Sequence, residues 1–306
     1  ENTNYFVYTT EGSYVLTIFE KLKIDEAPFY LSLMRHLAKR RTPCPLPILN
    51  KNNEIIQLFN NKPATIVSKL DGKAVEQPNS LHCYEIGKAL AIAHQDALDF
   101  TEIRGGTRSL LWWKKICPNL LKFIDIPKQK KLMQELKDQE SFLNSQIYNS
   151  LPKAVIHADL FRDNALFLSN NAHCDADFKQ PSEFKKPSEK LGGIIDFYFA
   201  GYDSLLFDLA VVANDWTVDL SVEKTGSFKK KELAALFDGY QDVRKLSPTE
   251  IEVWPMVLRT AAFRFWVSRL YDWYLPRNAA LLTPKDPTEY EIILSKRQSE
   301  MKESSC

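Results

Sequence analysis

Short alternating runs open the chain and helical periods follow. YFVYTT and SYVLTIFE place β-branched and aromatic side chains around Glu11-Gly12, the pattern of two antiparallel strands joined by a tight turn. DEAPFYLSLMRHLAKR then sets Tyr30, Leu33, Met34 and Leu37 on one helical stripe, with Asp25 as the expected cap and Pro28 in the first turn. TPCPLPIL breaks that helix, and EIIQLF and PATIVSKLDG supply two further strands, the second closing at Asp71-Gly72. From residue 79 the apolar spacing lengthens to three or four in SLHCYEIGKALAIAHQDAL, SLLWWKKICPNLLKFI and KKLMQELKDQESFLNSQI. Short strands near residues 154–168 and 193–197 interrupt the helices, which resume with LLFDLAVVANDW, KKKELAALFDGYQ and EIEVWPMVLRTAAFRFWVSRLYDWYL. Pro255 is expected in the first turn of the last or at a kink. Residues 169–193 are polar and proline-interrupted, the composition of a surface loop. No internal repeat argues for a solenoid.

The pattern predicts an α+β chain in two lobes: a small antiparallel-sheet lobe over residues 1–70 and a larger, mainly helical one over 71–306. The polar ENTN opens directly into a strand from Glu1, which predicts further residues upstream.

Composition narrows the partners. Of 306 residues, 40 are Lys or Arg and 39 Asp or Glu, so no net field selects nucleic acid or an anionic membrane, and a small neutral or zwitterionic ligand fits better. The five cysteines are scattered singly, without a zinc or redox pair, as expected in a reducing cytoplasm. No apolar run reaches the ~18 residues of a membrane span, and no signal segment is visible.

The chemistry concentrates in HADLFRDN and GGIID. His157 and Asp159 follow the strand AVI, Asn164 comes five residues after Asp159, and a second apolar strand ends on Asp196. An amide oxygen and a carboxylate at one edge, joined by phosphate oxygens, make a hard site suited to Mg²⁺. Phosphoryl transfer needs such a metal and a carboxylate that takes or orients the proton of the attacking hydroxyl, and Asp159 is the candidate. The D-x-x-x-x-N spacing matches the kinase catalytic loop. Asp and Asn alone could equally end a turn, and it is the addition of Asp196 that favours a site.

On these residues the chain resembles the aminoglycoside phosphotransferase-like branch of the protein-kinase fold over essentially its whole length. NYFVYTTEGSYVLTIFE, APFYLSLMRHLA, DFYFAGYDSLLFDLAVVANDW and LRTAAFRFWVSRLYD are similar, within that branch, to the bacterial homoserine kinases. The resemblance implies a two-lobed protein-kinase-like fold and ATP-dependent phosphorylation of the L-homoserine hydroxyl in threonine biosynthesis. It implies Asp159 as catalytic base, Asn164 and Asp196 as Mg²⁺ ligands, and VSKL as the hinge that holds adenine through Ser68 and Leu70. His157 would support the catalytic loop, with Asp208 behind it.

One departure from the wider kinase pattern is Thr17, in YVLTIFEK, where a phosphate-binding lysine is expected; homoserine kinases share it, and Lys21 or Lys23 are possible substitutes. A zwitterionic acceptor needs a cation for its carboxylate and an anion for its ammonium. Arg264 is the candidate cation, Asp203 and Asp215 the candidate anions, with Trp112 and Trp113 near the pocket; core packing is the competing reading of Arg264 and the aromatics. His94 reads as a packed core histidine. Two alternatives stay open: the same transfer to an aminoglycoside, choline or sugar, and a non-catalytic nucleotide-binding protein of this fold.

Overall fold

β1 (Asn2–Thr9) and β2 (Gly12–Phe19) pair antiparallel along their full length, closing at Thr9 opposite Gly12, so the turn residues are Thr10-Glu11 rather than Glu11-Gly12. This computed structural model describes residues 2–169, 187–220, 225–275 and 284–303. α1 (Ala27–Ala38) follows, with Tyr30, Leu33, Met34 and Leu37 all buried as the stripe predicts. Its N-cap is Glu26 and not Asp25; the Glu26 carboxylate makes no capping bond to the helix and accepts instead from the Lys23 N–H and from Arg104. The run EIIQLF yields only the short β3 (Gln57–Phe59), since Ile55 and Ile56 pack against the core instead of the ladder. Asn60 and Asn61, both at positive φ, turn it into β4 (Lys62–Ser68), and the sheet order is β1-β2-β4-β3.

The helical part begins with α2 (Ser80–Asp96), capped by Asn79, and α3 (Leu110–Leu120), and continues through α4 (Ile126–Leu143) to the single turn α5 (Gln146–Asn149). β5 (Lys153–Ile156) then leads into the HADLFRDN segment, which hands over to β6 (Ala165–Ser169). β6 pairs with β7 (Pro187–Ile194), so the end of the expected 169–193 loop is strand, while residues 170–186 lie outside the described chain. β7 stops at Ile194, short of the 193–197 strand expected, because Asp196 turns left-handed (φ 65°) into a 3-10 turn at Phe197–Phe199. β8 (Gly201–Ser204), not anticipated from sequence, pairs with β5.

α6 (Leu205–Trp216) is almost wholly buried and packs on α8 (Pro248–Tyr274) after α7 (Lys230–Gln241). Ser247 and Glu250 form a capping box with Pro248 at the start of α8, which puts Pro255 inside the helix rather than in its first turn. α9 (Thr288–Glu303), a second element unread in the sequence, closes against α8.

Candidate active site

Two strands set the site's position. β5 delivers His157, and β7 runs beside β6 to deliver Asp196. Between them Ala158 takes a left-handed conformation (φ 61°), unusual for a residue with a Cβ. Such a turn holds only where its surroundings over-determine it. Asp208 does so: its two oxygens accept the N–H groups of His157 and Ala158, each at 2.8 Å. Burial alone would raise the Asp208 carboxyl, yet the hydrogen bond and charge of His94 and the His157 donor hold it below its ordinary value. His94 bridges Asp208 to the Tyr240 hydroxyl, the packed role expected of it.

The loop is also tied across to the neighbouring strand. The Asp159 N–H donates to His157 Nδ1 (3.2 Å), which leaves Nε2 as the donor to the Ile195 carbonyl at 2.9 Å. The Ile195 N–H donates in turn to the Asn164 carbonyl, and Asn164 Nδ2 to the Asp159 carbonyl at 2.8 Å. His157 is thus a clamp between loop and strand, and Asn164 lies across the loop from Asp159.

Asp159 keeps its side chain at the edge, with 16% of it accessible. Arg264, buried in α8, donates to Asp159 Oδ1 at 3.1 Å and lies over the Phe265 and Phe199 rings. Burial pushes the Asp159 carboxyl up to about 6, against the opposing pull of Arg264 and His157. Asp196 is exposed, and its carboxyl too is raised by the surrounding protein, with His157 opposing.

Asp215 is not drawn into this edge. It accepts the Arg162 N–H (2.8 Å) and lies 3.2 Å from Arg162 Nε, two helical turns after Asp208 on α6. Both aspartates therefore support the loop from below, a pairing visible in their seven-residue spacing. Asp203 and Arg264, in contrast, line one cavity of about 220 Å³ with Arg108, Tyr148 and Ala158. Arg108 was not singled out from sequence; its only signal was a cation directly before an aromatic helix start. Trp113 lines the same cavity, whereas Trp112 stacks on Arg108.

Thr17 is buried, donates to Asn4 and pairs with the Tyr198 hydroxyl, so it joins the small sheet to the segment after Asp196. Lys21 and Lys23 are exposed beyond the end of β2. In the hinge, the Ser68 N–H is taken by the Leu46 carbonyl and the Lys69 N–H by the Ser13 carbonyl.

Among the described residues no group of three or more His, Cys, Asp or Glu side chains is placed to hold a metal ion by itself. The donors at this edge are hard oxygens, Asn164 Oδ1 and the Asp196 carboxylate, which suit Mg²⁺ completed by phosphate oxygens rather than an all-protein cage.

The profile of the phosphotransferase enzyme family matches residues 1–176 and 187–248. The chain belongs to this phosphotransferase family. Among curated relatives, the homoserine kinase of Paraburkholderia phymatum is 46% identical over 97% of this chain and 88% of its own length. That of Burkholderia vietnamiensis is 45% identical over 97% of this chain and 85% of its own length. The phosphotransferase fold is shared with an amicoumacin kinase in complex with AMP-PNP, Ca²⁺ and Ami (TM-score 0.68, 15% identity, covering 99% of this chain and 86% of that one). It is shared too with an ethanolamine kinase of Plasmodium vivax (TM-score 0.62, 14% identity, covering 100% and 81%). The two-lobed kinase-like expectation is met, with a small antiparallel sheet beside a larger helical part.

Proposed function

We infer that the protein is a homoserine kinase, transferring the γ-phosphoryl group of ATP to the side-chain hydroxyl of L-homoserine to give O-phospho-L-homoserine for threonine biosynthesis. The observation that carries this reading is identity of 44–46% to curated homoserine kinases over 97% of the chain. The cavity beside Asp159 supports a small acceptor. It is lined by two cations, Arg108 and Arg264, and one anion, Asp203, which disfavours a polycationic aminoglycoside.

In the proposed mechanism Asp159 accepts the hydroxyl proton as the oxygen attacks the γ-phosphorus and the bond to the β,γ-bridging oxygen of ATP breaks. Arg264 holds the Asp159 carboxylate in place through its 3.1 Å bond. Asp208 and His157 fix the loop that carries it. Asn164 and Asp196 would hold Mg²⁺, which when bound neutralises charge on the phosphates. Residues 1–70 form the nucleotide lobe in this reading. Of the two hinge residues proposed to hold adenine, Ser68 has its N–H already bonded to the Leu46 carbonyl, which makes Leu70 the stronger adenine contact.

A cytoplasmic setting is also proposed, supported by three buried free thiols, Cys44, Cys83 and Cys117. No described helix is long and apolar enough to cross a membrane.

The test is ADP release from Mg·ATP with L-homoserine, L-serine, choline and kanamycin in parallel, with Asp159→Ala as control. Turnover on L-homoserine, lost in the control, is expected. Preferential turnover on kanamycin or choline would assign the acceptor to the other reading.

A further inference from the structure

The cavity between α3, β8 and α8 carries charges of both signs at places the backbone fixes. The stretch leading into α3 runs alongside β8: the Tyr202 N–H donates to the Arg104 carbonyl at 2.7 Å, and Gly105 bridges Tyr202 in parallel. The approach is so close that a Cβ on Gly201 would meet Gly106 Cα and N at 2.6 Å. Arg108 and Asp203 therefore reach the cavity from two segments held in register, and their separation cannot drift independently.

Each group is also held in orientation. The Arg108 guanidinium lies over Trp112 (4.2 Å) and Tyr271 (5.1 Å) and is ion-paired with Asp272 at 3.6 Å. Stacked planar guanidinium is the cation that best matches a carboxylate. Asp203 Oδ1 accepts the Tyr148 hydroxyl at 2.6 Å and the Ser204 N–H at 2.8 Å. Both donors converge on that one oxygen, so the other can face a ligand. Arg264 lines the same cavity but spends its charge on Asp159, which puts the reacting end at Arg264 and Ala158.

We propose that this cavity is the acceptor site and that it reads an α-amino acid by its two charged groups: Arg108 binds the α-carboxylate and Asp203 the α-ammonium, aiming the side-chain hydroxyl at Asp159. The proposal rests on the homoserine kinase reading and adds the residues that select the substrate. The cavity, about 220 Å³, is below the roughly 300–1,000 Å³ of pockets for drug-sized ligands, which suits a compact amino acid. Arg108 would repel an acceptor whose only charge is positive, such as choline.

The experiment measures kcat/KM for L-homoserine, for aminopropanol, which lacks the carboxylate, and for γ-hydroxybutyrate, which lacks the ammonium, in wild type, Arg108→Gln and Asp203→Asn. KM for ATP and the melting temperature are measured alongside. Wild type is expected to prefer L-homoserine to either analogue by about 100-fold or more, because each analogue forgoes one of the two charged contacts. Arg108→Gln should erase the preference over aminopropanol, and Asp203→Asn the preference over γ-hydroxybutyrate, each through L-homoserine KM and with KM for ATP unchanged. Arg108→Lys and Asp203→Glu, which keep charge and lose shape, should restore part of it and serve if the first pair folds poorly. Variants that slow all three acceptors in proportion, or that keep the wild-type preferences, overturn the clamp. Wild type inactive on L-homoserine overturns the reading beneath it instead.

Discussion

Asp208 and Asp215 lie under the HADLFRDN segment, and Asp159 and Asp196 lie at its open edge. The lower pair is consumed by the fold: Asp208 has no exposure and holds two backbone N–H groups, and Asp215 holds the Arg162 N–H. The upper pair is left accessible, with Asp196 exposed and Asp159 bound by one arginine. The same side chain thus does two kinds of work within one small region, and what separates them is whether the carboxylate is bonded to the backbone of the HADLFRDN loop itself.

The comparison breaks most clearly at the upper pair. Asp159→Asn, which keeps an oxygen acceptor for Arg264, should lower kcat by about 10²–10⁴-fold, the range for losing a general base, with a melting temperature near wild type. Steady-state kinetics beside calorimetry checks both halves, and a large loss of stability would show Asp159 to be structural. Asp208→Ala should do the reverse first. Leaving His94 and two buried N–H groups without their acceptor should cost roughly 3–5 kcal/mol in urea unfolding, with activity falling as the loop loosens.

Acid sharpens the same contrast. Because the folded Asp208 carboxyl sits below its ordinary value, its stabilisation is present above the unfolded value of about 3.9 and is lost as pH falls through the folded one. Unfolding free energy measured across that acidic window should fall less steeply in Asp208→Asn than in wild type. A smaller effect belongs to Asp215→Asn, which keeps an acceptor for the Arg162 N–H and should cost roughly 1–3 kcal/mol by the same unfolding measurement. Smallest of all, Ala158→Gly should stabilise by about 0.5–1 kcal/mol, since glycine meets the left-handed turn without the Cβ penalty. A loss there would mean that the Ala158 methyl packs more usefully than the turn strains.

Much of this was legible in the residues. The alternation of SYVLTIF and the stripe Tyr30, Leu33, Met34 and Leu37 gave the small sheet and its helix, because burial of one face imposes a period. HADLFRDN and IID gave the candidate edge, because a buried strand ending in carboxylates and an amide is uncommon without a ligand. β8 was missed since GYDS carries no apolar alternation; its pairing with β5 is set by the surrounding chain. α9 was missed because its face is matched to α8 and its sequence is largely polar. Asp215, one of the candidate anions in the sequence, is bound to Arg162, a partner 53 residues away that only folding brings close. Arg108 stayed hidden for the same reason: nothing local links it to Asp203, and the register between Arg104 and Tyr202 does.

The most direct test of the central claim is phosphorus NMR of a reaction containing the protein, Mg·ATP and L-homoserine, run beside Asp159→Ala. The account requires a new phosphomonoester signal that co-migrates with authentic O-phospho-L-homoserine, growing as ATP is consumed and missing from the variant. ATP consumed only to inorganic phosphate by a folded, nucleotide-binding protein, or an equal phosphomonoester signal from Asp159→Ala, would contradict it.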